Sequence, residues 1–383
     1  MLELSNRARV SKRDFYKLFT SKEECFLASY DTIISRSVRG IVAAAAGERN
    51  WRERLRLGFL AFADQVAGSP RTARLALVEA FTAGAVAVER MELTSAFFEA
   101  LMAKDLARAN DAPRLPPLVV KGVVAGGSRL AQSRLLSSDP RQPALDGSEL
   151  LSWTFSYFDG DVARLGGLGG EGARRSSEAV PPMPLEDERA LIVAATAKLA
   201  RKGGYATLTV PRVRAAAGVS KRSFDTHFES VADCFLATLE TLSDRTLAAA
   251  APVYLSAGDW ASGVHRMVVG LCRLLARDPT FADLAFLEVF SPCPEAIRWR
   301  SQMIAKLAER LRRDAPLAHK PSQSAAEASI GALWGVIHHF VANGRGTQLP
   351  IAAPVLSYLA LAPALGGAAA VEVILSEISR PSS

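Results

Sequence analysis

Read for the spacing of its apolar residues, the chain is helical almost throughout. Leu55, Phe59, Phe62 and Val66 recur at three- and four-residue intervals, as do Val264, Val268, Leu271 and Leu275. That period gathers side chains on one face of an α-helix. Alternating runs of β-branched residues are scarce, and the intervals are filled by Ala, Leu, Arg and Glu, which favour helix. Pro70 and Pro279 punctuate consecutive helices. Trp51 and Trp260 open helices after the polar loops GERN and SAGD, where they are expected to act as packing anchors. The pattern predicts an all-α chain.

The helical pattern repeats. At an offset of 209 residues, VSKRDFYKLFTSKEECFLA (10–28) lies on VSKRSFDTHFESVADCFLA (219–237) with 11 identities in 19 positions. The same offset sets Trp51 on Trp260, Pro70 on Pro279 and TARLALVEAF (72–81) on FADLAFLEVF (281–290) without a gap. A period of this length belongs to a domain rather than a solenoid repeat. Residues 160–185, rich in Gly, Ser and Pro and without a hydrophobic period, read as a linker. The expected organisation is a partial helix-turn-helix at 1–30, a helical body at 31–159, the linker at 160–185, a complete helix-turn-helix domain at 186–237 and a second body at 238–380. Met1 falls opposite Val210, so the first copy has no counterpart of residues 186–209. A start codon assigned too late is the expectation; true loss of the opening helix is the rival.

Composition narrows the function class. At 383 residues the chain exceeds the usual reach of one core. Its net charge of +7 suits a polyanionic partner without requiring one. Every long apolar run is interrupted by charge, Pro or Gly, and the opening residues MLELSNRARVSKRDF are too charged for a secretory signal. No membrane span and a cytoplasmic location are therefore expected. Cys25, Cys234, Cys272 and Cys293 lack CxxC spacing and read as small buried side chains, with no metal and no cofactor. His338-His339 and Cys293 have no partner at catalytic spacing, so no enzyme is expected.

The segment 188–237 carries the most specific pattern. ERALIVAATAKLARKGGYATLT is an Ala-rich amphipathic helix stopped at Gly203-Gly204. Thr209 is placed to cap VPRVRAAA, with Pro211 in its first turn. Gly218-Val219 makes a tight turn, and Ser220 is placed to cap the short helix KRSFDTHF. Two short helices across a glycine turn form the helix-turn-helix arrangement, braced by Val213, Ala217, Val219, Phe224 and Phe228.

On these residues the chain resembles the TetR/AcrR family. The resemblance rests on a first helix, a GY pair followed by Thr before the second helix (Tyr205, Thr209), AAGVSK at the turn and a short recognition helix ending in FES. It covers Ala190 to Leu239 in the second copy and residues 1–30 in the first. It implies a short helix in the major groove, with polar side chains on base edges and flanking amides, hydroxyls and cations on phosphates. In the first copy those residues would be Ser11, Lys12, Arg13, Asp14, Tyr16 and Lys17, with Lys22 opening the next helix. In the second they would be Tyr205, Thr209, Ser220, Lys221, Arg222, Ser223 and Asp225. The family commonly has an aromatic where Tyr16 stands and Lys where Lys22 stands, and the second copy has Asp225 and Val231 there. A carboxylate facing phosphates repels them, so the second reader is expected to be impaired, unless Asp225 accepts from a cytosine amino group.

The resemblance also implies helical bodies that hold a small hydrophobic effector and dimerise through their last two helices. The effector would be lined by Phe62 and Phe81 in the first copy and by Met267, Phe286 and Phe290 in the second. Pairing of the two units within one chain is expected, with a homodimer of chains as the other arrangement. The expected function is a ligand-responsive regulator, a repressor, on a double-stranded DNA operator, read mainly by the first unit or by both. The alternative is a TetR-like ligand-binding or protein-interaction module that has lost DNA binding.

Overall fold

The computed structural model describes residues 7–137, 145–166, 187–290 and 293–380, and among them every regular element is helical. The first half comprises α1 (Lys12–Leu18), α2 (Lys22–Ala44), α3 (Trp51–Gly68), α4 (Pro70–Leu77), α5 (Ala85–Ala107), α6 (Pro117–Leu136) and α7 (Gly147–Phe155). In the second half α8 (Glu188–Gly203) and α9 (Val210–Ala217) precede α10 (Lys221–His227), α11 (Val231–Leu255), α12 (Trp260–Arg277), α13 (Pro279–Phe286), α14 (Pro294–Asp314), α15 (Gln323–Ala342), α16 (Leu349–Leu365) and α17 (Gly367–Ser379). The helices α1 to α5 begin 209 residues before α10 to α14, in the same order. The starts recur because the capping residues recur. Ser11, Ser21 and Asn50 accept from first-turn amides in one half, and Ser220, Ser230 and Asp259 do so in the other. Ser21 and Glu24 cap each other's ends of the turn, as do Ser230 and Asp233, each carboxylate reaching back to the amide before the cap.

The buried core is continuous from Trp51 to Ile374 and crosses between the halves along α6 and α15. Small residues set how closely these two antiparallel helices approach. A Cβ on Gly335 would stand 2.3 Å from the Ala125 Cβ, one on Gly331 would stand 2.7 Å from the Arg129 Cβ, and one on Gly126 would stand 2.5 Å from the Ala328 carbonyl oxygen. Both helices have 20 residues, so Ala125 and Gly331 occupy the same position in each, as do Arg129 and Gly335. The contacts Ala125–Gly335 and Arg129–Gly331 therefore exchange under a two-fold relation. Polar closure follows the same seam. Trp153 Nε1 donates to Ser329 Oγ at 3.0 Å, Tyr157 to the Leu359 carbonyl at 2.9 Å and Tyr358 to the Tyr157 carbonyl at 3.0 Å. Arg134 and Glu327 form a buried ion pair at 2.7 Å, with Gln323 and Ser133 also donating to the carboxylate.

Of the stretch read as a linker, residues 160–166 are packed. Val162–Leu165 form a 3-10 turn whose Val162 and Leu165 are each 1% exposed, seated on α16 and α17, and the Gly160 backbone lies against Gly367. The apolar pair three residues apart explains the turn. From residue 167 onward the stretch lies outside the described residues. Gly346–Leu365 is long and apolar enough to cross a membrane, yet two-thirds of it, 67%, is buried within the fold, where α16 packs on α12 and α15.

Inside that packing, His265 Nδ1 lies 2.9 Å from Ser357 Oγ, and Ser357 donates its own proton to the Ala353 carbonyl, so His265 is the donor. Burial holds the imidazole neutral, with its pKa drawn down to about 4, partly opposed by Glu377. An unfolded His titrates near 6.5, so between these values the unfolded chain binds the extra proton and stability falls as pH falls. Chemical denaturation of His265→Gln should show the loss between pH 6.5 and 4.5 reduced by up to about 3 kcal/mol relative to the native chain.

Candidate nucleic-acid interface and ligand cavity

In the second half the helix-turn-helix is built as its capping residues dictate. Thr209 Oγ1 accepts from the Arg212 amide, Pro211 sits in the first turn of α9, and Gly218 ends that helix in the left-handed region at φ 70°. Ser220 then accepts from the Ser223 amide to open α10. Val213, Phe224 and Phe228 are buried beneath the pair, and the two phenylalanine rings are 5.8 Å apart. Lys221, Arg222, Asp225 and the caps Thr209 and Ser220 face outward. Asp225 draws Lys221 toward its own helix, Nζ to Oδ2 3.8 Å.

Two of the residues expected on the DNA side face inward. Ser223 is buried and donates to Glu188 at 2.6 Å, tying α10 to α8. Tyr205 packs against Phe235 with centroids 4.9 Å apart and the rings tilted by 57°, and its amide donates to Glu288 at 2.7 Å. Burial pushes its phenol up to about 12. Ser223 thus holds the reading helix to α8, and Tyr205 holds the turn between α8 and α9 to α11.

In the first half α1 presents Ser11, Lys12, Arg13, Asp14, Tyr16 and Lys17 to solvent, and α2 begins with exposed Lys22. Asp14 is held by Ser11 and, at 2.8 Å, by Lys17, and both bonds lower its pKa, Lys17 most. Phe15 is the buried residue of this helix. Arg9 stands where Gly218 stands in the other half, and it takes the same left-handed conformation at φ 54°. A side chain there costs roughly 1–2 kcal/mol. Arg9→Gly is therefore expected to stabilise the turn by about 1 kcal/mol; hydrogen exchange at the Phe15 amide should slow, and faster exchange would contradict the reading.

Two cavities of unequal size stand out among the described residues. One of about 970 Å³ lies in the first half, walled by α2, α3, α5 and α6 and by the end of α15. Phe62 and Phe81 line it. The other, about 160 Å³, is lined by Met267 and Phe286 among nearly wholly apolar side chains. The side chain of Phe290 lies outside the described residues. The inequality follows from substitutions at matching positions. Gly58 leaves room beside Ile41, whose nearest atom would be 3.7 Å from an added Cβ, whereas Met267 occupies the equivalent place. Phe286 closes the small cavity by packing on Trp334, ring centroids 4.7 Å apart.

The polar lining of the large cavity was not legible in the sequence pattern. Asp105 pairs with Arg54 at 3.0 Å, Glu99 with Lys121 at 2.8 Å and Glu92 with His338 at 3.1 Å, the last reaching across from α15. Arg129 donates to the Gln132 amide oxygen at 2.8 Å, and Arg300 from α14 donates to the same oxygen at 2.8 Å. Both guanidiniums lie over the Phe81 ring, at 5.2 and 4.8 Å. Among the described residues no cluster of three His, Cys, Asp or Glu side chains could hold a metal ion.

No protein among the curated ones matches the chain. Residues 192–238, from α8 to the first turns of α11, match the family model of the bacterial regulatory proteins of the tetR family, which supports membership of that family and a DNA-binding role in transcription regulation.

Proposed function

We propose that the chain is a ligand-responsive transcription regulator, a repressor, made of two tandem TetR-like units that pair within one molecule. The observation that carries the DNA-binding part is α10, a capped seven-residue helix after a left-handed glycine turn, with Lys221 and Arg222 outward and Ser223, Phe224 and Phe228 inward. The tandem reading is supported by helix starts that recur 209 residues apart, and the pairing by the two-fold exchange of contacts across α6 and α15. In this reading a double-stranded operator lies against α1 and α10 in the cytoplasm. The effector occupies the large cavity. Its wall includes Tyr30, Ile33, Ile34, Ser37 and Ile41 of α2, the 23-residue helix that begins three residues after α1 ends. A helix of that length moves as a rod about 34 Å long, so displacement at the cavity re-aims the reading helix.

Mobility shift against genomic fragments at fixed salt tests the proposal. Retardation that weakens steeply as salt rises is expected, because phosphate contacts release counterions. No retardation of any fragment at low salt would leave a ligand-binding or interaction module without DNA binding. In dilute solution light scattering should give the 41.0 kDa mass of one chain. A dimer of chains would mean that each unit pairs with its copy in a second molecule.

A further inference from the structure

One side chain of α15, His338, stands between the large cavity of the first half and the helix-turn-helix of the second. It lines the cavity together with Glu92 of α5. Its Nε2 lies 3.1 Å from the Glu92 carboxylate and its Nδ1 lies 2.6 Å from the Phe286 carbonyl. Both partners accept, so the ring engages the two together as an imidazolium. The bond from His338 is the largest influence holding Glu92 below the usual carboxylate range. Phe286 is the last residue of α13, where carbonyls lack partners within the helix and a cationic ring complements the helix dipole. Two residues on, Glu288 opens the 3-10 turn Glu288–Phe290, and its Oε2 accepts from the Tyr205 amide at 2.7 Å. A Cβ on Gly204 would stand 3.3 Å from the same oxygen, so the carboxylate sits directly on the turn that joins α8 to α9. The first half does not repeat this chain of bonds. Gln132 holds the position of His338 in α6, and its amide oxygen accepts from Arg129 and Arg300. Glu79, 209 residues before Glu288, pairs with Arg74 of its own half at 2.8 Å.

Resting on the regulator reading above, we propose that the large cavity of the first half controls the reading helix of the second, and that His338 is the positioning residue that carries the coupling. An occupant that draws Glu92 or α5 away from α15 takes one of its two anchors from His338. The end of α13 then keeps a weaker cap, and Glu288 loses its fixed place at the Tyr205 amide. Occupancy at one site biases the other through a contact with two arrangements, bridged and released.

Hydrogen exchange at the Tyr205 amide, at about pH 6 where most imidazoles carry the proton, tests the link without ligand or DNA. Glu288→Gln sets the scale and should speed that amide by about 10-fold or more, the range of a hydrogen bond to a charged group. Glu92→Gln and His338→Gln should each speed it by about 2- to 30-fold, the range of coupling carried by packed networks, although Glu92 belongs to the other half. The double variant should add nothing to His338→Gln, because both changes cut one link. His339→Gln, at the neighbouring position of the same cavity wall, should leave the amide unchanged. In every variant the central amides of α16, which report global stability, should keep their rates. An unaltered Tyr205 amide in any of the first three variants, an additive double variant, an equal effect of His339→Gln or equal acceleration in α16 would overturn the proposal. Mobility shift on the same preparations separates the two readings. A coupled Tyr205 amide without DNA retardation removes the regulator and keeps the coupling, and retardation with an uncoupled amide does the reverse.

Discussion

Gly126→Leu should unfold the joined helices at a lower denaturant concentration than any surface substitution, with a loss of about 3 kcal/mol or more. An added Cβ alone would stand 2.5 Å from the Ala328 carbonyl oxygen and 2.5 Å from the Trp153 ring, and neither has a route of retreat. The carbonyl belongs to α15, so it moves only if the whole helix does, and Trp153 is fixed by its bond to Ser329 and its contact with Tyr157. Separating α6 from α15 would also expose the Arg134–Glu327 pair. A half-broken buried pair costs more than it contributes when whole, about 3–5 kcal/mol if one charge is left behind. Gly258→Ala is the control, since nothing lies within 4 Å of an added Cβ there. Urea denaturation followed by tryptophan fluorescence should show a lower midpoint for Gly126→Leu and an unchanged one for Gly258→Ala. Equal midpoints would mean that the contact between α6 and α15 contributes little to stability.

This seam was only half legible in the sequence. The apolar stretches PPLVVKGVVAGGSRLAQSRLL and SIGALWGVIHHFV announce surfaces that need covering, because hydrophobicity is written locally. Their partners are not, since two helices 200 residues apart meet through shape. A signal was present in Gly122-x-x-x-Gly126 and Gly331-x-x-x-Gly335, small residues one helical turn apart that allow backbones to approach. The helix-turn-helix was legible in detail, because caps, a left-handed glycine and bracing apolar residues act over a few positions: Thr209, Gly218 and Ser220 do in the structure what their residue types predict. Helical phase within that motif was harder. Ser223 reads as a polar contact residue in α10, yet Glu188, 35 positions earlier, turns it inward. The aromatic residues Phe62 and Phe81 were named from the family resemblance, whereas Arg129, Gln132 and Arg300 came together only through tertiary packing.

Asp225→Tyr combined with Val231→Lys should tighten DNA binding by on the order of tenfold at low salt and steepen its salt dependence by about one to two charges. The two substitutions give α10 and the start of α11 the residues that α1 and α2 carry at Tyr16 and Lys22. The site can accept both changes. Asp225 is exposed, so an aromatic ring there displaces water rather than core, and Val231 is half-buried at the helix start, where a lysine stem can follow the surface to water. Removal of Asp225 also frees Lys221 from its 3.8 Å contact and lifts a carboxylate from the face that phosphates would approach. Exposed pairs of this kind contribute little to folding, so stability should change by less than about 1 kcal/mol and the effect should appear in binding. In the reverse direction, Tyr16→Ala with Lys22→Val should weaken binding by a similar factor if α1 is the stronger reader, which makes the operator asymmetric with one dominant half-site. Mobility shift at two salt concentrations, with both double variants on one fragment, reads slope and affinity together. An unchanged slope in the Asp225, Val231 variant would show that α10 does not approach phosphate, and the regulator would then read DNA through α1 alone.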